Sequence, residues 1–360
     1  MKLSLFQAIS PVCPACQREH GQAFPVQLHA ALRTEGDDVL EGMLLCPGCR
    51  REFPIIDGIP VLVSDVRAYI QSSMLHIHWR DDLSPAMASL LGDCAGPGSA
   101  YETTRYYLST YGWGHYHDLD PASPSAEPPA LLGVLDAALE AAGGLPRGLV
   151  VDLGCSVGRS SLYLAEKTDN PVLGLDLNFS MLRLARRAAR GEVSYPLRRG
   201  GLVYEQRRFP VQFPAADRVD FWAADATCLP LRSGAFSGVS SLNLLDTVGS
   251  PYDHLSEVGR VLAADGRAWL GCPYDWSASA TDLAQWLGGH SQRGPTAGSS
   301  PAMLRALLTP GAYPTSLDSL EILSELEGVP WTVRLHDRSR MSYDLHMVIA
   351  VSRSAAQPAG

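Results

Sequence analysis

The stretch Leu149-Val-Val-Asp-Leu-Gly-Cys-Ser-Val-Gly158 decides the fold of this chain. Its first five residues predict a buried strand, and the glycine-bearing turn that follows opens into a predicted helix. Gly154 lets a ligand approach the backbone closely, and Gly158 relieves crowding where the helix meets the strand. This order of strand, turn and helix predicts a ligand site at the carboxyl end of a parallel sheet.

The flanking sequence alternates strands with helices. Strands are predicted at 148–155, 171–178, 219–226, 237–246, 267–274 and 343–353, and helices at 131–142, 159–166, 181–190 and 252–262. This alternation predicts an α/β fold with a doubly wound, mostly parallel sheet that helices cover on both faces. Two stretches break the pattern, 191–217 and 288–300, and we expect both to lie over the active site.

Two further acids follow the next predicted strands. Asp176 lies 18 residues after Gly158, where a carboxylate can accept both hydroxyls of a ribose. Asp225 ends the third strand in the segment Ala-Ala-Asp-Ala-Thr. Because the carboxyl ends of parallel strands meet at one edge, we expect these acids to line one site with Asp152. A nicotinamide-binding domain is an alternative with the same geometry.

Two cysteine pairs stand near the N-terminus. Cys13-Pro-Ala-Cys16 and Cys46-Pro-Gly-Cys49 are separated by 29 residues, 17 to 45, a pattern typical of a zinc site. Four thiolates fill a tetrahedral site, so we expect a structural Zn²⁺ with no open position for catalysis. A redox pair and disulfides are the alternatives. Residues 1–64 are therefore predicted to form a small β-rich zinc ribbon.

The end of this module carries a resemblance to a known family. Residues 10–64, which close with Arg51-Glu-Phe-Pro-Ile-Ile-Asp-Gly-Ile-Pro-Val-Leu62, resemble the small zinc ribbons that activate methyltransferases or are fused to them. The resemblance implies a methyltransferase in the same chain and leaves room for a protein partner on the ribbon.

Residues 130–275 resemble the class I S-adenosylmethionine-dependent methyltransferases. The resemblance implies a Rossmann-like sheet of seven strands and S-adenosyl-L-methionine as cofactor. In that family the glycine turn holds the methionine portion, the acid after the second strand holds the ribose, and the acid-Ala pair after the third holds the adenine. Ser156 departs from the family by replacing a common middle glycine. The residues assigned to the cofactor are Asp152, Gly154, Cys155, Gly158, Asp176, Leu177, Asp225, Ala226 and Asn243.

Residues 101–353 resemble the C-terminal methyltransferase domain of the ovothiol synthase, which N-methylates the imidazole of a thiohistidine, and more distantly the carnosine N-methyltransferases. The segments that carry this resemblance are Tyr101-Glu-Thr-Thr-Arg-Tyr-Tyr107, Asn243-Leu-Leu-Asp246, Gly271-Cys-Pro-Tyr-Asp-Trp276, Val329-Pro-Trp-Thr-Val-Arg334 and 343–353. The resemblance implies N-methylation of a small histidine-derived acceptor, with Tyr101 and Arg105 among the cofactor residues.

A carboxylate at Asp246 suits this chemistry. Methyl transfer requires a lone pair aimed at the methyl carbon, and an acid that accepts the imidazole N–H fixes the tautomer and stabilises the developing charge. The other residues assigned to catalysis or to acceptor binding are Tyr274, Tyr343, Trp276, Trp331 and Arg334. The tryptophans and Tyr274 are expected to wall the ring and Arg334 to bind a carboxylate. A turn cap for Asp246, a core position for Trp331 and a structural ion pair for Arg334 are the alternatives.

Charge and composition narrow the remaining functions. A net charge of −9 and a pI near 5.6 argue against a general affinity for polyanions. Nucleic acid is therefore an unlikely partner, and an RNA base methyltransferase is the alternative, together with a methyltransferase of another natural-product acceptor. The arginine-dense stretch 183–208 is the one candidate basic patch, and a solvated surface is its simpler explanation.

Location and domain boundaries complete the expectations. No apolar run reaches the roughly 18 to 20 residues that span a bilayer, and residues 1–10 lack a signal-peptide pattern. We therefore expect a cytoplasmic protein without membrane contact. Residues 65–128 are predicted to be a connector whose helical segments contribute to the active site, 129–353 the catalytic domain, and 354–360 a flexible tail.

Overall fold

The computed structural model describes residues 1–123 and 127–353. Its N-terminal module consists of helices α1 (Leu3–Ile9) and α2 (Pro14–His20) and strands β1 (Gln27–Glu35), β2 (Asp38–Leu45), β3 (Glu52–Ile56) and β4 (Ile59–Pro60). The four strands form one antiparallel sheet in chain order, which confirms a small β-rich N-terminal module. The predicted tail at 354–360 and residues 124–126 of the predicted connector lie outside the described residues.

Three helices connect this module to the main sheet. They are α3 (Val66–Ile77), α4 (Pro85–Ala95) and α5 (Ala100–Tyr116). Each begins after a residue whose side chain accepts a hydrogen bond from a backbone N–H of the first turn: Asp65, Ser84 and Ser99. Such caps satisfy donors that have no partner inside the helix, so the sequence itself fixes where these helices begin.

The rest of the chain contains the predicted strands and helices, but four consecutive strands with no α-helix between them interrupt the alternation within 192–242. Its elements are α6 (Ala130–Ala141), β5 (Leu149–Leu153), α7 (Arg159–Thr168), β6 (Val172–Asp176), α8 (Phe179–Ala189), β7 (Glu192–Gly200), β8 (Val203–Pro210), β9 (Val219–Ala223), β10 (Phe236–Leu242), α9 (Pro251–Val261), β11 (Leu262–Cys272), α10 (Ser300–Leu308), β12 (Leu320–His336) and β13 (Ser339–Ser352).

Seven of these strands form the main sheet, in the order β12-β13-β11-β10-β5-β6-β9. Strands β11, β10, β5, β6 and β9 are parallel, and β13 pairs antiparallel with both β11 and β12. The doubly wound, mostly parallel Rossmann-like sheet is therefore confirmed. The strand order reverses between β5 and β10, and ligands of such sheets bind at the carboxyl ends beside this reversal.

The two faces of the sheet are covered by different parts of the chain. Val150 and Val172 pack in a cluster with residues of α5, α6, α7 and α8. Their neighbours Val151 and Leu173 point to the opposite face, because side chains alternate along a strand, and pack with residues of α9, α10 and the N-terminal module.

No helix follows β9 directly in the chain, and the N-terminal module covers the sheet at the place where such a helix would pack. Residues 224–235, all described, join β9 to β10 through turns. The module covers the sheet there: the ring of Phe6 lies 6.0 Å from that of Trp222, and the N–H of Val12 donates to the carbonyl of Pro230 at 3.0 Å. Leu62 extends the contact by donating to the carbonyl of Ala223 at 2.8 Å. The two parts therefore share one hydrophobic core, and the module has a partner within its own chain.

The arginine-dense stretch is neutralised by carboxylates. Arg198 lies over the ring of Tyr106, with its guanidinium carbon 5.2 Å from the ring centroid. The other arginines of the stretch each lie within 3.8 Å of a carboxylate oxygen: Arg183, Arg186, Arg187, Arg190, Arg199, Arg207 and Arg208. Because these arginines are paired with carboxylates, they form no basic patch, and Arg186 is buried rather than solvated. Nowhere in residues 1–123 and 127–353 does a helix have the length and apolarity needed to cross a bilayer.

Candidate functional site

A cleft of about 700 Å³ opens at the carboxyl ends of β5, β6, β9 and β10. Its size is that of a small-molecule site. We call its first side the strand wall, which consists of Asp152, Gly154, Ser156, Asp176, Asp225, Ala226 and Asn243. We call its other side the aromatic wall, which consists of Tyr107, Tyr111, His115, Asp275 and Trp331.

The glycine turn shapes the floor of the strand wall. The N–H groups of Gly154 and Cys155 both donate to the carbonyl of Leu175, at 2.8 and 3.0 Å. Gly154 and Ser156 have positive φ angles of 72° and 51°, so Ser156 adopts the left-handed conformation without glycine. Gly158 has a different function, because a Cβ there would lie 2.6 Å from the Cβ of Ala185. It permits helix packing and does not line the cleft.

Two acids of the strand wall accept hydrogen bonds from neighbouring backbone and serine donors. The carboxylate of Asp176 accepts the N–H of Ser156 at 2.9 Å on one oxygen and that of Asn178 at 2.8 Å on the other. Burial raises its pKa, and these N–H groups oppose the rise. Asp152 is buried and accepts the hydroxyls of two serines of α7, and burial raises its pKa as well. Each oxygen of Asp176 retains a lone pair for a ligand hydroxyl.

The third acid lies next to the N-terminal module. Asp225 accepts the N–H and the hydroxyl of Thr227 on one oxygen, at 2.8 and 2.7 Å. Its other oxygen lies 3.6 Å from the guanidinium of Arg18, which belongs to α2. Ala226, Asn243 and the half-exposed Leu177 complete the predicted residues that line this side. Cys155 is buried beside the turn and does not reach the cleft.

The aromatic wall comes mainly from α5. Tyr107, Tyr111 and His115 recur every four residues and therefore share one face of the helix. Tyr101 and Arg105 lie on the adjacent face and line a second, smaller cavity. The prediction that Tyr101 and Arg105 bind the cofactor in the cleft is therefore wrong, because the rotation of the helix directs both side chains away from it.

Asp246 does not reach the cleft either. Its side chain is 2% exposed, and one carboxylate oxygen accepts the N–H of Asp275 at 2.7 Å. Burial raises the pKa of Asp246. The aspartate of this pair that lines the cleft is Asp275, so the predicted direct contact between Asp246 and an acceptor is wrong.

The residues on either side of Asp275 face away from the cleft. Tyr274 has a positive φ of 57°, and its hydroxyl lies 2.7 Å from Nδ1 of His346. Trp276 stacks on Trp286 at 5.7 Å. The left-handed turn at Tyr274 directs Asp275 to the site, which the sequence alone does not reveal. The predicted contacts of Tyr274 and Trp276 with an acceptor in the cleft are therefore wrong.

The remaining predicted acceptor residues divide between the cleft and the core. Trp331 lines the cleft and is also buried in the hydrophobic core, so its predicted contact with an acceptor stays a prediction. Tyr343 lies behind the wall and donates its hydroxyl to Asp275 at 3.0 Å. Arg334 is buried elsewhere, where it forms an ion pair with Asp337 and donates to the carbonyl of Arg198 at 3.0 Å. Arg334 therefore has the structural ion pair that was the alternative to a substrate contact.

The two stretches expected over the active site lie elsewhere. Residues 191–217 contain the hairpin of β7 and β8, whose residues line the smaller cavity. Residues 288–300 pack beside the two stacked tryptophans, where Ser300 accepts the indole N–H of Trp276 at 3.0 Å. Neither stretch lines the cleft, so this expectation is wrong.

The charge of the cleft is negative. Among its described lining residues are four aspartates, Asp152, Asp176, Asp225 and Asp275, and neither lysine nor arginine. His115 is kept neutral, because burial and then the nearby Arg159 lower its pKa to about 3. Such a cleft suits a cationic ligand and disfavours a pyrophosphate, which counts against the nicotinamide alternative.

The four N-terminal cysteines converge on one point. The Sγ atoms of Cys13 and Cys49 lie 3.7 Å apart, and those of Cys16 and Cys46 lie 3.8 Å apart. All four lie within 4.8 Å of one another. Thiolates at the Zn–S distance of about 2.3 Å in a tetrahedron are about 3.8 Å apart. The cluster therefore has the size and donor set of a Cys₄ zinc site.

Comparisons with known proteins match two separate parts of the chain, the main sheet and the N-terminal module. Residues 151–270 match the family model of a methyltransferase domain, and residues 12–58 match that of Trm112p-like proteins. The methyltransferase GfsG of Streptomyces halstedii is 30% identical over 118 residues, which are 33% of this chain and 35% of that protein. The chain thus matches about a third of the length of this curated relative.

Solved structures resemble the chain more weakly. An S-adenosylmethionine-dependent methyltransferase of Methanosarcina mazei is 21% identical, with a TM-score of 0.37, over 57% of this chain and 92% of that one. A protein of echinomycin biosynthesis is 17% identical, with a TM-score of 0.41, over 63% of this chain and 82% of that one. From the family models and the sheet topology together, we conclude that residues 151–270 belong to a methyltransferase domain with a Rossmann-like sheet and that residues 12–58 form a Trm112p-like module.

Proposed function

We propose that this protein transfers a methyl group from S-adenosyl-L-methionine to a nitrogen of a small acceptor. The observation that carries the proposal is the row of Asp152, Asp176 and Asp225 along the ends of adjacent strands, in a cleft whose described lining holds no basic side chain except neutral His115. S-adenosyl-L-methionine bears a sulfonium and an ammonium cation, and an acidic cleft attracts both.

Each strand-wall acid would have a distinct function toward this cofactor. Asp176, fixed by two backbone donors, would accept the ribose hydroxyls. Asp225 would accept from the adenine amino group, and Asp152 with Gly154 would shape the methionine end. When bound, the cofactor supplies an electrophilic methyl group on sulfur. The residues of the chain then have to hold an acceptor lone pair in line with that group.

We further propose that the methyl acceptor is the imidazole ring of a histidine-derived compound. Asp275 lies at the cleft surface, and Tyr343 donates to one of its oxygens, which leaves the other free to accept an imidazole N–H. This contact would fix the tautomer, aim the second nitrogen and stabilise the imidazolium product. Tyr107, Tyr111 and Trp331 would offer aromatic faces to the developing cation, each contributing about 0.5 to 2 kcal/mol.

We also propose that Cys13, Cys16, Cys46 and Cys49 hold a structural Zn²⁺. The sulfur spacing supports this proposal. Helix α2 contains Cys16 and also carries Arg18 to Asp225, so the proposed metal site is linked to the cleft. A filled Cys₄ site would stabilise the module and leave no position for catalysis.

A transfer assay tests the proposed function. Histidine, thiohistidine and histidine-containing dipeptides are incubated with methyl-labelled cofactor, and the products are separated by mass. N-methylated imidazole is the expected product, with rates that rise as the ring becomes neutral near its usual pKa of about 6.5. Methylation of another class of compound alone would refute the imidazole acceptor and keep the methyltransferase. Absence of cofactor binding would refute both.

A further inference from the structure

The second cavity has a volume of about 60 Å³ and lies beside the cleft, between α4, α5, α8 and the hairpin of β7 and β8. Its lining includes four arginines: Arg80, Arg105, Arg183 and Arg187. Three of them are paired with carboxylates, of Asp82, Asp57 and Asp81 respectively. Arg105 differs from the other three.

Among the described residues, no carboxylate pairs with the buried guanidinium of Arg105. The residue is 4% exposed, and its Nη1 has no hydrogen-bond partner in the part of the chain that the structure describes. Among the described residues, three further arginines are buried, Arg159, Arg186 and Arg334, and each has a carboxylate partner. Burying a guanidinium without a counter-charge costs free energy. Arg105 therefore differs from the other buried arginines, which all have a carboxylate partner.

The surroundings of Arg105 hold the guanidinium in place. Its central carbon lies 4.0 Å from the ring centroid of Tyr204 and 5.6 Å from that of Tyr101. Gly92 of α4 leaves the space for it, because a Cβ at that position would lie 2.1 Å from Nη1. The nearest acid along the helix, Glu102, accepts from the hydroxyl of Tyr204 at 3.1 Å instead.

We propose that this cavity binds a single carboxylate or phosphate group, which pairs with Arg105. The volume admits one such group, and the fork of a guanidinium presents donors to two of its oxygens. Gln206 and Ser194 line the same cavity and add polar side chains. The occupant is either a free anion or the acidic end of the methyl acceptor, and only the second source depends on the proposed function.

The geometry of α5 limits an acceptor that reaches both sites. Arg105 and Tyr111 are six residues apart, which is about 9 Å along a helix. Free histidine is too short to place its carboxylate at Arg105 and its ring at the aromatic wall. An extended acid, such as a dipeptide with C-terminal histidine or a longer derivative, is the class that fits.

Thermal unfolding and calorimetry test the site without any methyl transfer. Inorganic phosphate at constant ionic strength should raise the Tm of the full chain by about 2 °C or more. The variant Arg105→Met should lose this response while its Tm without phosphate stays level or rises, since an unpaired buried charge is removed. Arg105→Lys should fold and bind phosphate at least tenfold more weakly. Arg198→Met, which removes a ring-stacked arginine outside the cavity, should respond like the wild type.

The outcomes separate the site from the alternatives. A wild type that does not respond to phosphate, or an Arg105→Met variant that still responds, would overturn the proposal. If glycyl-histidine protects the wild type, and neither its C-terminal amide nor the Arg105→Met variant shows that protection, the occupant is the acid end of an acceptor. Protection by phosphate alone identifies a free anion. Both results are independent of whether the assay detects methylated product.

Discussion

The strand wall and the aromatic wall line the same cleft but are assembled differently. The acids of the strand wall stand within two residues of a strand end, and the donors that fix Asp176 belong to adjoining turns. The aromatic wall combines one face of α5 with Asp275 and Trp331, which are more than 150 residues away along the chain. A local wall is specified by short motifs, whereas an assembled wall depends on how distant elements pack.

The largest effect is expected from the zinc site, which supports the strand wall through α2. The variant Cys46→Ser should lower the free energy of unfolding by about 5 kcal/mol or more, because metal binding contributes directly to the stability of such modules. Elemental analysis should find about one zinc per wild-type chain and less in the variant. Cys94→Ser is the matched control, since Cys94 is exposed and unpaired. A folded, metal-free wild type with four free thiols would contradict the prediction.

The two walls also differ in what they share with the N-terminal module. Arg18 lies 3.6 Å from Asp225, and no residue of the aromatic wall has a hydrogen bond or ion pair with described residues of the module. Chelation should therefore weaken cofactor binding more than acceptor binding. Calorimetry of both ligands, before and after chelator treatment, measures the two losses separately.

The next effect distinguishes Asp275 from Asp246 within the aromatic wall. Asp275→Asn should leave cofactor affinity unchanged and reduce turnover by about 10- to 100-fold, because the charge beside the developing cation is lost. Asp246→Asn should reduce turnover by less than about threefold, since an amide oxygen can still accept the N–H of Asp275. The assay is single-turnover methyl transfer with saturating cofactor. A larger loss in Asp246→Asn than in Asp275→Asn would restore the direct contact first expected of Asp246.

The sequence predicted the strand wall well and the aromatic wall poorly for a physical reason. Asp152, Asp176 and Asp225 follow predicted strands, and parallel topology alone brings strand ends together. Tyr101 and Arg105 were separated from the cleft by a rotation of about 100° per helical residue, and Tyr274 by a left-handed turn. A one-residue difference in such segments exchanges one lining side chain for its neighbour.

One signal for the aromatic wall was present in the sequence. Tyr107, Tyr111 and His115 stand at four-residue spacing, which predicts a shared helix face. The spacing does not say whether that face meets the sheet core or a cleft. Asp275 had no such signal, because its position depends on the turn at Tyr274. The packing of the zinc ribbon against the sheet was likewise not predicted, because it depends on the absence of a helix directly after β9.

The pH dependence of stability compares His115 of the aromatic wall with His254, which lies behind the strand wall beside the carbonyl of Ala226. The pKa of His115 is lowered to about 3, by burial and then by Arg159, and that of His254, which supports Ala226, to about 4 by burial. Both are neutral when folded and take up a proton on unfolding below about pH 6.5. Stability should therefore be complete at pH 7 and fall as the pH drops, by up to about 1.4 kcal/mol per pH unit for each group.

Variants separate the two histidines. His115→Gln should flatten the dependence between about pH 6.5 and 3, and His254→Gln should flatten it between about 6.5 and 4. Denaturant titration at a series of pH values gives the slopes. An unchanged slope in either variant would show that its imidazole titrates alike in the folded and unfolded states.

The affinity of the strand wall for the cofactor tests the proposed function most directly. Calorimetry with S-adenosylhomocysteine, the demethylated product, should show binding to the wild type and to the control Asp93→Ala, which alters an exposed acid of α4. Asp176→Ala should lose about 1.5 to 3 kcal/mol of binding free energy, because two ribose hydroxyls lose their acceptor. Unchanged affinity in Asp176→Ala, with the fold intact by circular dichroism, would contradict the placement of the cofactor on this wall.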